Sequence, residues 1–490
     1  MPQLSKRGCL VAALCFVFFI SPRCGALVQK AQSADLFVDS VCVNTHFRFA
    51  GTAYTTNQTQ LIQLLADAGI HNVRDDSPGV ALQLAAKGIK MNYGVFELAW
   101  NTDSNINSTR QVVQKIKTAI NDGLLVDAIM GINEPDGTWP QKNITYNGKG
   151  FPNGTMEYMR DMYTLLRQDS FFKDRWIIGA PLAIWAVLPA NCCSQWVDFG
   201  DMHPYPFNGN WLTDTFQSYG NITRYFYNSN QPSTNLDQFP TNWNQAKAYY
   251  PNRPWFATET GYSTEQGGMG TSIRAQGLYT NRIFTEYFRL GIRRTCVYEL
   301  VDQHDQPTAH ESNFGLLYSN YSAKPSYTAL KNMMTLLRSA WAPSAGQLRP
   351  PTYELGSLDF SLNVSAVGSW DRTDYVHHLL LQKPDGLLLL LLWHEISDED
   401  TKTQPHRQIY PPRMPTVLSL PPDRYTVRVY APHDGPGLSG AYSVDGRSTF
   451  THESRISLMV PDHVLVLEVE ETDTSGGASL VSSAWWHMSL

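Results

Sequence analysis

Charge is scarce in this 490-residue chain. Asp, Glu, Lys and Arg supply 17% of it, the formal net charge is −6, and no dense Lys/Arg block occurs. Neither nucleic acid nor an anionic membrane surface is therefore expected as a partner. Cysteine is also sparse: there are seven, none in a C-x-x-C pair. A zinc or redox centre built on thiols is not expected. No H-x-H or H-E-x-x-H occurs either, so neither a metal nor an organic cofactor is expected. Long hydrophobic runs are missing. The two richest, Cys9–Ile20 and Leu387–Leu392, are too short to span a bilayer. What is present is a globular composition, 42% hydrophobic and 12% aromatic, with ample material for a core.

The first residues read as a secretory signal over 1–26. Lys6 and Arg7 precede the apolar run CLVAALCFVFFI, and cleavage is placed near Ala26. The alternative is an uncleaved anchor. Asn-x-Ser/Thr sequons begin at Asn57, Asn107, Asn143, Asn153, Asn221, Asn320 and Asn363. With a signal sequence they predict a secreted or cell-surface, N-glycosylated protein and place these segments at the surface. Removal of the signal leaves Cys42, Cys192, Cys193 and Cys296, for which three pairings are open.

From residue 35 to 341 short apolar runs alternate with amphipathic stretches, the rhythm of βα units around a parallel sheet. Eight strands are predicted: HFRFAGTAY from His46, HNVRDD, GIKMNYGVF, DAIMGINEPD, WIIGAPLA, VDFGDMHPYP, PWFATETGY and RRTCVYELVD. In the intervening helix MEYMRDMYTLLRQ, Met159, Met162, Tyr163 and Leu166 share one face. Eight such units imply an α/β fold, a (β/α)₈ TIM barrel. Residues 342–353 are Pro/Gly-rich and read as a linker. Over 354–471 strands follow without helices. Two leucine-rich strands flank the turn Lys383-Pro384-Asp385-Gly386, which predicts a C-terminal antiparallel β-sandwich. Residues 472–490 form a Ser/Gly-rich tail, too short in apolar residues for a lipid-anchor signal.

Two carboxylates carry the chemistry. Glu134, in Gly131-Ile132-Asn133-Glu134-Pro135, and Glu259, in Ala257-Thr258-Glu259-Thr260-Gly261, both close predicted strands. That is the rim where barrel enzymes place their catalytic groups. Glycoside cleavage needs such a pair: one carboxyl protonates the leaving oxygen, and the other attacks or activates water.

Asn-Glu-Pro closing one strand and Thr-Glu-Thr-Gly closing another 125 residues later resemble the clan A glycoside hydrolases. The resemblance spans about 300 residues of barrel, and accessory sandwiches also occur in the clan. It implies Glu134 as acid/base, Glu259 as nucleophile and retention of configuration. It also implies that Asn133 binds the sugar 2-hydroxyl, that Arg74 lies near the nucleophile, and that Tyr205 of His203-x-Tyr205 donates to it. The chain departs from the clan pattern twice. Tyr93 stands where many members have a histidine, and Tyr298, followed by Glu299, where many have a tryptophan platform.

Repulsion within the pair keeps one carboxyl protonated, and Arg74 and Tyr205 favour ionisation of Glu259. Tyr298 and Trp139 are taken as substrate contacts. Trp100, Trp185, Trp211, Phe207 and Tyr262 are further stacking candidates, against the alternative of ordinary packing. His203 as a metal ligand with Asp201, His304 or His310 is disfavoured against a hydrogen-bonded site histidine. His377 and His378 are read as structural, on opposite faces of a sandwich strand. The expected function is a secreted retaining glycoside hydrolase acting on β-linked sugars. The alternative is a carbohydrate-binding glycoprotein without activity. Nothing in the sequence fixes the sugar, endo or exo action, or an oligomeric state.

Overall fold

The computed structural model of the chain describes residues 27–95, 103–182, 188–205, 249–267, 270–368, 373–400 and 407–472. Eight parallel strands form one sheet. In chain order they are Val41–Asn44, Asn72–Asp75, Lys90–Gly94, Ala128–Met130, Trp176–Ile178, Gly200–Met202, Trp255–Thr260 and Ile292–Val297. Their spatial order runs six, seven, eight, one, two, three, four, five. A parallel bridge between Ile178 and Phe199 joins the two ends, so the sheet closes into the expected barrel. The strands are short and almost entirely buried, because helices cover the outside and side chains fill the inside.

The first strand differs from its sequence reading. It is Val41–Asn44, not the run from His46, which forms turns and the short helix Ala53–Thr56. All four residues of Val41–Asn44 are buried. A strand buried on both faces shows no alternation, whereas the alternating His-Phe-Arg-Phe of the loop imitates one.

The helices follow local rules. Ile106–Asn121 starts at a capping box between Asn105 and Ser108, and Val112, Ile116 and Ala119 are among the residues it buries. Ile273–Arg289 is capped by Ser272, which accepts from the Ala275 N–H, and is buried all round from Ala275 to Phe288. It lies between the barrel and the strands beyond residue 356, so even its Arg282 and Glu286 find partners there.

Strands beyond residue 356 build two antiparallel layers. One holds Ser357–Val364, Met414–Ser419 and Arg455–Val460. The other includes Val376–Gln382, Leu388–His394, Leu465–Glu471 and Tyr425–Tyr430. The predicted hairpin forms, with Gly386 at φ +94° in its turn. The leucine run has a packing cause. Leu389, Leu391 and Trp393 belong to the core shared with the barrel, while Leu390 and Leu392 belong to the core between the two layers. The strand is apolar on both faces because both are covered.

The N-terminal segment joins this domain. Leu27–Lys30 pairs antiparallel with Ser357–Phe360, and Gln32–Ser33 pairs with Leu381–Gln382. Glu286 accepts from His377 Nδ1 at 2.9 Å, and His378 Nε2 meets Gln29 Oε1 at 2.9 Å, on opposite faces as expected. Six sequon asparagines, Asn57, Asn107, Asn143, Asn153, Asn320 and Asn363, are exposed; Asn221 lies outside the described residues. No helix among the described residues is long and apolar enough to cross a membrane.

The cysteines pair as Cys42–Cys296 and Cys192–Cys193. The first bond links partners in register on strands one and eight.

Candidate active site

Polar side chains fill the barrel at its C-terminal mouth. Glu259 comes from strand seven. Gly261, two residues on, has φ +145° and lies so close to strand eight that a Cβ would meet the Tyr298 carbonyl at 2.5 Å. Only glycine permits that approach. Glu134 follows strand four and sits at φ +43°, a left-handed conformation that costs a non-glycine residue about 1–2 kcal/mol. Pro135 then opens the helix Pro135–Lys142, with its ring at a position that needs no N–H. The reversed backbone at Glu134 turns the chain from strand into helix and brings its carboxyl into the mouth.

The two carboxyls meet there. Glu134, His203 and Glu259 each offer an atom within 4.8 Å of the others. Arg74, 1% exposed, donates to Glu259 Oε1, to Asn133 Oδ1, and to Asn44 Oδ1 at 2.9 Å. The Tyr205 hydroxyl donates to Glu259 Oε2 at 2.8 Å. His203 places Nδ1 2.6 Å from Glu134 Oε1 and Nε2 3.0 Å from the Thr258 hydroxyl. Glu134, Glu259, Asn133, Arg74, His203 and Tyr205 are thus brought together. Tyr298 stands beside them, its ring 6.4 Å from that of Tyr205 and its hydroxyl accepting from Gln303.

Electrostatics favours the charged form of Glu259. Burial alone would raise the Glu259 carboxyl. His203, Arg74 and the Tyr205 hydroxyl outweigh it and hold Glu259 well below the ordinary glutamate range. Burial opposes a charge on His203, yet Glu259 and Glu134 raise it above the ordinary histidine range. Burial, reinforced by Glu259, keeps the Tyr205 phenol protonated far above its ordinary value.

Sequence reasoning missed several residues. Asn44 donates to the Thr258 carbonyl at 3.1 Å and accepts from Arg74. Its position inside the barrel follows from the corrected first strand. His46 stacks on Phe49 with centroids 4.2 Å apart, lies 3.6 Å from Glu299, and is lowered by burial to about 3. Glu299 is fully buried, and burial raises it well above the glutamate range, while Gln303 donates to it at 3.1 Å. The departure at Tyr298-Glu299 is therefore a buried carboxyl beside an uncharged histidine.

Tyr262 is buried against Tyr279 and packs in the core. His310 pairs with Glu265 at 3.1 Å and does not join the Glu134–His203–Glu259 group. Trp139 belongs to the helix Pro135–Lys142. Trp100, Trp185, Trp211 and Phe207 lie outside the described residues. A cavity of about 880 Å³ flanks strands one to three, lined by Phe47, Arg48, Asp76 and Tyr93 but by neither catalytic candidate.

This fold has relatives among solved structures. A family 39 glycoside hydrolase from the gut symbiont Bacteroides cellulosilyticus WH2 is similar at 13% identity, over 90% of this chain and 82% of that one, with a TM-score of 0.50. A monomeric beta-xylosidase from Caulobacter crescentus CB15 matches at 15% identity, over 90% and 97%, with a TM-score of 0.51. A glucosidase from Croceicoccus marinus matches at 10% identity, over 83% and 91%, with a TM-score of 0.50. The resemblance to clan A glycoside hydrolases read from the motifs thus extends to the fold, a barrel followed by a β-domain. No family model and no curated protein matches the chain.

Proposed function

We propose that the chain is a secreted, retaining glycoside hydrolase that cleaves β-linked sugars, with Glu134 as acid/base and Glu259 as nucleophile. The observation that carries the reading is that one carboxyl oxygen of Glu134 lies within 4.8 Å of one of Glu259 at the barrel mouth, a direct approach that supports the shorter, retaining spacing. Retaining enzymes hold the pair about 5–5.5 Å apart, whereas inverting ones need roughly 6.5–9.5 Å to admit water.

Each residue has a step. Arg74 and Tyr205 keep Glu259 ionised and place both its oxygens, so it attacks the anomeric carbon as a carboxylate. Glu134 gives its proton to the departing oxygen. Once Glu259 is an ester, Glu134 takes a proton from water, which attacks the same carbon and frees Glu259. Asn133, held by Arg74, is placed to bind the sugar 2-hydroxyl more tightly as charge develops, a contribution specific to the transition state. The leader-like N-terminus and the exposed sequon asparagines support secretion.

Incubation with a 2-fluoro-glycoside, followed by peptide mass spectrometry, is expected to label Glu259. Labelling elsewhere, or inverted product by NMR, overturns the mechanism. Glu259→Gln is expected to lose about 10³-fold or more of turnover while binding sugar; a protein that only binds carbohydrate has no turnover to lose.

A further inference from the structure

Behind the acid/base candidate runs a buried line of hydrogen bonds that the double-displacement steps leave unused. Asp201, 3% exposed, uses Oδ1 to accept the N–H of Met202 at 2.8 Å and of Thr258 at 3.2 Å. Its Oδ2 accepts the Thr258 hydroxyl at 2.7 Å. Having given its proton to Asp201, that hydroxyl can only accept from His203 Nε2, 3.0 Å away. With Asp201 ionised, Nε2 therefore carries a hydrogen whatever the state of the ring. The one position at which the ring gains or loses a proton is Nδ1, 2.6 Å from Glu134 Oε1. His203 and Thr258 are 1% and 0% exposed, so water does not compete.

We propose that Asp201 and Thr258 are positioning residues that act through His203 to stabilise Glu134 as it gives up its proton. The inference rests on Glu134 being the acid/base. When the Glu134 proton moves to the departing oxygen and the glycosidic C–O bond breaks, a carboxylate forms. His203 Nδ1–H donates to that carboxylate, and the ionised Asp201 balances the ring's charge through the Thr258 hydroxyl. In the second step a water proton passes to Glu134 as the new C–O bond forms and the ester bond to Glu259 breaks. The ring keeps its place throughout. The other charges facing His203 are Glu259 and Arg74, and Asp201 in turn faces Arg74 and Tyr250. Burial pushes Asp201 up to about 7, although His203 and Thr258 draw it down. Asp201 is ionised above that pH, so the comparison belongs at pH 8.

The test compares Thr258→Val, Thr258→Ser and Asp201→Asn. The readout is the ratio of kcat/KM for an activated aryl glycoside, whose leaving group needs no proton, to that for an alkyl or sugar glycoside, which does. Proton delivery by a positioned acid contributes about 10²–10⁴-fold. Thr258→Val and Asp201→Asn are expected to raise the ratio about tenfold or more, and Thr258→Ser to restore it. A uniform loss on both substrates in variants that still take up the 2-fluoro label, or no change in the ratio, overturns the proposal. Nitrogen-15 NMR of wild-type His203 gives a second readout: Nε2 is expected to be protonated, and a ring protonated only at Nδ1 overturns it. Failure of the 2-fluoro label to reach Glu259 in the wild type refutes the glycosidase mechanism instead, so the two failures are distinguishable.

Discussion

Replacing Lys90 by Met tests the charged floor of the barrel. Lys90 is 0% exposed, as are Asp39, Asp127 and Arg294. Its ammonium bonds Asp39 Oδ1 at 2.6 Å, Asp127 Oδ2 at 2.7 Å and the Leu348 carbonyl at 2.7 Å. Through that carbonyl it fastens the linker across the strands' N-terminal ends. Burial lowers Lys90 while Asp127 and Asp39 oppose the shift. For Asp39 and Asp127 burial raises the carboxyls, but Lys90 and Arg294 outweigh it and hold both below the ordinary range.

Methionine fills the space of the stem and removes one charge, leaving two buried carboxylates to Arg294 and the partly exposed Arg293. Removing one partner of a buried pair costs about 3–5 kcal/mol, because the other charge stays buried. At about 2.1 cal/mol/K per residue, a barrel of about 300 residues loses roughly 5–8 °C in Tm.

The sign of the pH dependence is fixed. Both aspartates are depressed, so their pairing contributes stability above about 3.9 that is lost as pH falls through their folded values. In the Lys90→Met protein a carboxyl can take up a proton, so the deficit against wild type is expected to shrink from pH 7 to pH 4. Adding Asp127→Asn is expected to recover part of it. Thermal unfolding followed by circular dichroism at the two pH values measures this. A Tm within about 1 °C of wild type, against the several degrees expected, or an equal deficit at both pH values refutes the reasoning.

Three further outcomes follow from the geometry. Arg74→Met withdraws the cation beside Glu259, so its carboxyl rises from its depressed value. The acid limb of kcat/KM against pH is expected to move upward, and an unmoved limb in an active variant contradicts the assignment. Arg282, fully buried, donates to the Ile396 and Asp462 carbonyls at 2.8 Å each and to Glu395 at 2.9 Å. Arg282→Met is expected to cost about 3–5 kcal/mol and to open the barrel–sandwich junction to limited proteolysis; an unchanged digestion pattern argues against the role. Enzymatic removal of N-glycans in ¹⁸O water is expected to mark asparagines among the exposed sequons of protein from a eukaryotic secretory host, and protein without any mark contradicts the secretory reading.

Local pattern determined a good deal of this molecule. Ile106–Asn121 announces itself through its cap and apolar face, and Asn153–Gln168 through its apolar face alone, because a helix that buries one side must repeat apolar residues along it. The hairpin at Lys383–Gly386 needs only its turn residues. The motifs around Arg74, Glu134, His203, Tyr205 and Glu259 each sit at a strand end that sequence could mark.

Tertiary structure decided the rest. Val41–Asn44 escaped because complete burial erases alternation. Leu27–Ser33 pairs with strands more than 300 residues away, a contact no local signal carries. Which cysteines meet depended on strands one and eight becoming neighbours when the barrel closed. The distance between Glu134 and Glu259, the shared hold of Arg74, and the line from Asp201 to His203 exist only in three dimensions. Electrostatic and hydrogen-bond energies depend on separation in space, and sequence spacing fixes that separation only within an element.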